Sequence, residues 1–256
     1  MIFAYAAVFV LTKLSLEGIF PPLVSEVSFT LLLGVSAYKL YSLARESRDL
    51  PWQRGVVAMA LAAAIITLHN LAWVYGSVAG EVPLALEFAG ATLYTLQVVP
   101  WAYALCVALF IVYDRLRGAL YLELLTYLVA LIAAVIFIIA AILGVVFSLE
   151  MGVTIADSAG LYLSGALLIP ALALLFSRRD PNLTRPFLYI GAATTFWFLA
   201  DVLYIYLPES SADMVFNCLA LVQWFLFYRA ARVYVATYAR VQEVELERED
   251  LGSAAI

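Results

Sequence analysis

The sequence predicts an all-α fold: a polytopic membrane helix bundle of about eight transmembrane helices, arranged as two parallel four-helix repeats. Three observations point to it. Hydrophobic residues fill 66% of the 256 positions and charged residues 13%, with a mean hydropathy of +0.99, whereas soluble domains are about 45–50% apolar and about 25% charged. Apolar stretches of roughly 20 residues, the length a helix needs to cross the hydrocarbon, recur along the whole chain. Arginines and acids occupy alternate loops. The formal net charge of −5 gives no reason to expect a nucleic-acid partner.

Polar or turn-forming clusters bound eight apolar segments, at about residues 1–20, 24–44, 55–78, 86–113, 120–148, 155–176, 186–207 and 213–238. The first starts at Met1 with no basic leader and no small-residue cleavage site, so it reads as a retained helix rather than a signal peptide. Lys13 and Glu17 interrupt it, but their i, i+4 spacing lets them pair on one face. Pro100 falls inside the fourth segment and Pro170 inside the sixth. Each predicts a kink and freed carbonyl groups. Cys106 and Cys218 lie in separate segments and read as packing residues rather than a disulfide. Past the eighth segment the chain turns abruptly charged in RVQEVELERED, Arg240–Asp250. That tail is either a solvated helix end or a docking element for a cytoplasmic or membrane protein partner.

The loops after the even-numbered segments carry Arg45, Arg48 and Arg54, then Arg115 and Arg117, then Arg178, Arg179 and Arg185, then Arg232, Arg240 and Arg248. Those on the other side carry Glu17, Glu26, Glu81, Glu87, Glu150, Asp157, Glu209 and Asp213 without lysine or arginine. The positive-inside rule then predicts a multi-pass protein of the cell membrane with both termini cytoplasmic. The halves also match. Ser15–Glu17 recurs at Ser148–Glu150, Arg48–Asp49 at Arg179–Asp180, Leu71–Ala72 at Leu199–Ala200, Glu81 at Glu209 and Gln97 at Gln223. The collinear order predicts repeats at 1–113 and 114–239, of the same orientation because each holds an even number of helices, with a charged tail at 240–256.

Asp201 lies within FWFLADVLYIYLP, Phe196–Pro208. An ionised carboxylate in hydrocarbon costs several kcal/mol unless paired, hydrated or protonated. It is therefore a candidate ligand, proton or substrate contact, against a structural hydrogen bond between helices or a carboxyl carried uncharged. Tyr204, three residues on, lies on the same face, where its hydroxyl can donate to the carboxylate. His69 and Asn70 form a second polar pair at comparable depth in the third segment. The histidine is either proton-responsive or a satisfied core residue. As the only histidine, with no cysteine or carboxylate at ligand spacing, it predicts neither a haem nor a metal site. Gln97 and Gln223 read as paired helix–helix contacts. Arg229 is expected to snorkel to the interface, and Tyr41, Trp52, Trp101, Tyr113 and Tyr121 to form an aromatic belt.

Walker loop, nucleophile elbow and HExxH motifs are missing from the sequence. The only lysines are Lys13 and Lys39, which excludes a retinal Schiff base in a late helix. Pro100 and Pro170 do not occupy matched positions, unlike the broken helices of repeat-built transporters. No cofactor is predicted. The partners expected are membrane lipid and a small-molecule or lipid-like ligand.

Two resemblances bear on function. FLADVLYIYLPESSADMVFNCLALVQWFLFYRAARVY, Phe198–Tyr234, resembles the last two helices of multi-helix membrane sensor segments in prokaryotic signalling proteins. FAGATLYTLQVVPWAYALCVALFIVYDR, Phe88–Arg115, is similar to a middle helix of that type. That likeness implies a sensor module, although no output domain lies within these residues. Asp201 also resembles the later of two intramembrane aspartates in the eight-helix lysoplasmalogenase-like family, which implies a lipid hydrolase. The third segment has His69, Asn70 and Trp73 but no acid, so the second carboxylate is missing. A non-enzymatic sensor-type or ligand-binding module is expected first, an intramembrane lipid-modifying hydrolase or a subunit of a larger membrane complex or transporter second.

Overall fold

The computed structural model describes residues 1–16, 18, 21–47, 49–79, 83–115, most positions between 164 and 174, 181–207 and 209–253. All regular structure among them is helical: α1 (Ile2–Leu16), α2 (Pro22–Glu46), α3 (Leu50–Ala79), α4 (Leu84–Leu96), α5 (Val98–Arg115), α6 (Pro181–Tyr206) and α7 (Glu209–Ser253), with helical residues also between 164 and 174. Among the described residues four stretches are long and apolar enough to cross a membrane: Leu23–Glu46, Leu50–Gly76, Thr92–Val112 and Arg185–Tyr204. The predicted segment at 120–148 lies outside the described residues, and the one at 155–176 enters them only from 164.

Local chemistry sets the helix ends. α1 has 15 residues, fewer than the roughly 20 a crossing helix needs and fewer than the stretch 1–20 expected. It stops where Gly18 takes φ +73° and returns its N–H to the Ser15 carbonyl, a left-handed geometry that glycine adopts at little cost. Pro22 opens α2 at a position where its missing N–H is not needed. The apolar segment at 86–113, expected as one kinked helix, is α4 and α5 divided by a turn at Gln97. Pro100 is the physical cause, because it has no N–H for the Leu96 carbonyl and its ring crowds that oxygen. α7, with 45 residues, is about 67 Å long at 1.5 Å per residue, and it carries the charged tail to Ser253 in helical form.

α6 and α7 form one helix pair and α2 and α3 another; α1 packs on both α2 and α7, while α4 and α5 lie against α3. Helix association in lipid depends on close packing and on hydrogen bonds between helices. Both are present. Ser25 donates to Thr12 Oγ1 at 2.9 Å between α2 and α1. Ser36 gives its one proton to the Leu32 carbonyl at 2.7 Å, so the 2.6 Å contact with Tyr5 has the tyrosine as donor. Thr12, Thr30, Thr67, Thr194 and Thr195 each donate to the carbonyl four residues back, which satisfies hydroxyls inside apolar helices.

The aromatic residues correct the sequence expectation. Trp52 and Trp101, expected in an interfacial belt, are 1% and 2% exposed. Trp52 stacks on Tyr234 of α7 at 3.8 Å and meets Phe187 of α6 edge-on. Trp101 of α5 packs on Trp197 at 3.9 Å and on Phe227 at 4.7 Å, and its indole donates to Thr194 at 3.2 Å. These rings hold the bundle together. Tyr41 is exposed, as a belt residue should be.

Candidate functional site

Asp201 lies five residues before the end of α6 and is only 5% exposed. Trp197, one turn earlier on the same face, is also buried. Tyr204 is rotated about 60° from Asp201, since three residues advance a helix by roughly 300°, and it reaches the outer edge at 41% exposure. Its ring rests edge-on against Phe216 of α7 at 5.8 Å. A donor that local spacing does not suggest reaches the carboxyl from another helix. The Tyr94 hydroxyl of α4 donates to Asp201 Oδ1 at 2.5 Å and accepts the Trp197 indole N–H at 3.3 Å.

His69 of α3 touches Tyr94 ring to ring, with centroids 5.4 Å apart. Its nitrogens are engaged elsewhere. Nδ1 lies 2.8 Å from the Gly90 carbonyl, which can only accept, so Nδ1 carries the proton. Nε2 accepts the Trp73 indole N–H at 3.1 Å, so it carries none. Together the two contacts fix one neutral tautomer and leave the imidazole no hydrogen bond to offer Tyr94 or Asp201.

Two polar atoms at this end are buried without a hydrogen-bond partner among the described residues: Asp201 Oδ2 and Asn70 Nδ2. Ser164 and Trp197 also hydrogen-bond to the carboxyl, without engaging Oδ2. Gln97 and Gln223 are buried inside the bundle, Gln97 at the α4–α5 turn and Gln223 on α7. Arg229 is half-buried, and Cys106 and Cys218 are free thiols.

The structure thus brings three of the four candidate site positions into one neighbourhood: His69 and Asp201 through Tyr94, and Tyr204 through Phe216, which also packs on Tyr94 at 6.5 Å. Asn70 adjoins His69 in sequence. Tyr94 and Phe216 were not legible as site residues. The one signal for Tyr94 is its place a turn before Gln97 and Pro100, where the helix breaks. Among the described residues no three His, Cys, Asp or Glu side chains could hold a metal ion together. Chemically, the arrangement is one buried carboxyl whose Oδ2 has no donor among the described residues, held by a phenol that is itself packed among rings.

The chain matches no protein-family model, no curated protein and no solved structure.

Proposed function

We propose that the chain is a multi-pass membrane module that binds a small or lipid-like ligand without transforming it, and that passes the binding event on as a sensor does. The observation that carries this reading is Asp201 Oδ2, a buried acceptor with no partner among the described residues. An unsatisfied polar atom in an apolar setting costs free energy, and a ligand that donates to it recovers that cost. Turnover is disfavoured by the surroundings. Acid–base chemistry draws on two groups pushed to different proton affinities, and the nearest candidate, His69, spends both nitrogens on Gly90 and Trp73.

The wider setting of the proposal is an eight-span bundle of two parallel repeats in the cell membrane, with both termini cytoplasmic. It rests on the alternation of arginine and acid between loops and on the collinear matches between the halves. The ligand engages the Asp201 end, and the response travels along α7 as a shift between two packings, towards a partner at the charged tail.

Native mass spectrometry of the gently solubilised protein, wild type beside Asp201→Asn, tests this reading. A bound small molecule lost in the variant supports it. Stoichiometric protein partners with no bound small molecule favour a structural subunit of a larger complex. Headgroup release from lipid, lost in Asp201→Asn, favours a hydrolase.

A further inference from the structure

We infer that the Asp201 site takes a cationic amphiphile, a primary ammonium group carried on an apolar chain; this rests on the ligand-binding reading above and gives the ligand its chemical class.

The inference begins from where the positive charge of this protein lies. A buried carboxylate is stable only with a counter-charge or a full set of donors. Asp201 takes the Tyr94 hydroxyl on Oδ1, with Ser164 and Trp197 also bonding to the carboxyl, but Oδ2 has no donor among the described residues. No lysine or arginine acts on it there. The chain cannot easily supply one. Of its 14 lysines and arginines, none lies between Arg117 and Arg178, the stretch that includes every residue from 118 to 163. The arginines of the described helices lie towards the opposite end. Arg185 is on α6 itself, 16 residues from Asp201, about 24 Å along the helix. Lys13 is at the same end but on α1, which packs on α2 and α7, and it has an interaction of its own. His69, the only histidine, is held neutral by Gly90 and Trp73. Among the described residues no counter-charge faces an ionised Asp201, and a cationic ligand supplies one.

The walls suit such a group. Tyr94, His69, Phe216 and Tyr204 are linked ring to ring around the carboxyl, and aromatic faces attract ammonium ions. Depth suits an amphiphile. Asp201 is five residues from the end of α6, roughly 7 Å, so a headgroup can reach it while its chain remains in the hydrocarbon. Tyr204, 41% exposed, offers that chain an apolar flank. The step is binding alone, an N–H of the ammonium donating to Oδ2 with no covalent change.

The test uses the full chain in detergent and three probes: dodecylamine, 1-dodecanol of the same chain length, and ethanolamine, which has the ammonium group without the chain. Binding is read by native mass spectrometry and by quenching of tryptophan emission. The expected result is that dodecylamine binds best, and that Asp201→Asn weakens it about tenfold or more while leaving 1-dodecanol unchanged. Tyr41→Phe, at an exposed position on α2 away from Asp201, retains dodecylamine binding and shows that a folded variant can report. Preference for 1-dodecanol, lost in Asp201→Asn, overturns the ammonium class but leaves the ligand site standing. Equal binding of ethanolamine overturns the amphiphile and assigns a soluble amine. Dodecylamine binding that is indifferent to Asp201→Asn, or no binding of any probe, overturns the inference, and a native ligand still displaced by Asp201→Asn keeps the broader reading apart from it.

Discussion

Tyr94 and Asp201, 107 positions apart, are joined by a 2.5 Å hydrogen bond that ties the short helix α4 to α6. Tyr94→Phe removes the donor to the carboxyl and the acceptor of the Trp197 indole while keeping the ring. A cost of about 1–2 kcal/mol is expected. Tyr75→Phe, at an exposed position of α3, should change stability by less than about 0.5 kcal/mol. Thermal unfolding of both variants in one detergent checks the contrast, and equal losses would contradict the assignment of Tyr94 as the donor.

The histidine offers a direct spectroscopic check. With a single His in the chain, the nitrogen-15 spectrum of labelled protein shows one imidazole, expected as the neutral form protonated on Nδ1. In Trp73→Phe the Nε2 atom loses its donor, and a mixture of tautomers is expected. A wild-type spectrum with the proton on Nε2 would contradict the Gly90 and Trp73 contacts.

Trp52 and Tyr41 separate core from belt. Trp52→Ala is expected to cost about 3–5 kcal/mol, the range for a buried large ring, because it removes the stack on Tyr234. Tyr41→Ala, at an exposed position, is expected to stay within about 0.5 kcal/mol. Denaturation midpoints of the two variants decide it.

Pro100→Ala restores an N–H for the Leu96 carbonyl and should merge α4 with α5. Spin labels at the exposed positions Ala85 and Phe110, in a chain with Cys106 and Cys218 replaced, should move apart towards the roughly 37 Å of a continuous 25-residue rise. The Tyr94 hydroxyl would then be re-aimed, and the variant should lose stability as Tyr94→Phe does. An unchanged separation would mean that Pro100 does not cause the break.

What could be read beforehand follows a physical division. Membrane helices announce themselves by length and hydropathy, so the helical class and the approximate bounds of α2, α3 and α6 were legible. Asp201 was legible because a carboxyl in an apolar run stands out. Its partner was not, because Tyr94 is one of 16 tyrosines and approaches from a distant helix. Faces were hard to tell for a related reason. In lipid the outer side of a helix is as apolar as the inner one, so no periodicity distinguishes the buried Trp52 from the exposed Tyr41. The Gln97 turn could be foreseen as a kink from Pro100, but not as the boundary between two helices.

α7 meets both aromatic groups of the bundle. Phe216 packs on Tyr94 and Tyr204 near Asp201, and 18 residues further on Tyr234 stacks on Trp52 and donates to the Asp49 carboxylate. Between these two points the helix rises about 27 Å, and it continues beyond the second for about as far again. It is therefore a lever with its fulcrum near the middle. A tilt of about 5° about that point swings the far end by roughly 2.5 Å, so a displacement beside Asp201 is carried, at similar size and in the opposite sense, to where the charged residues lie.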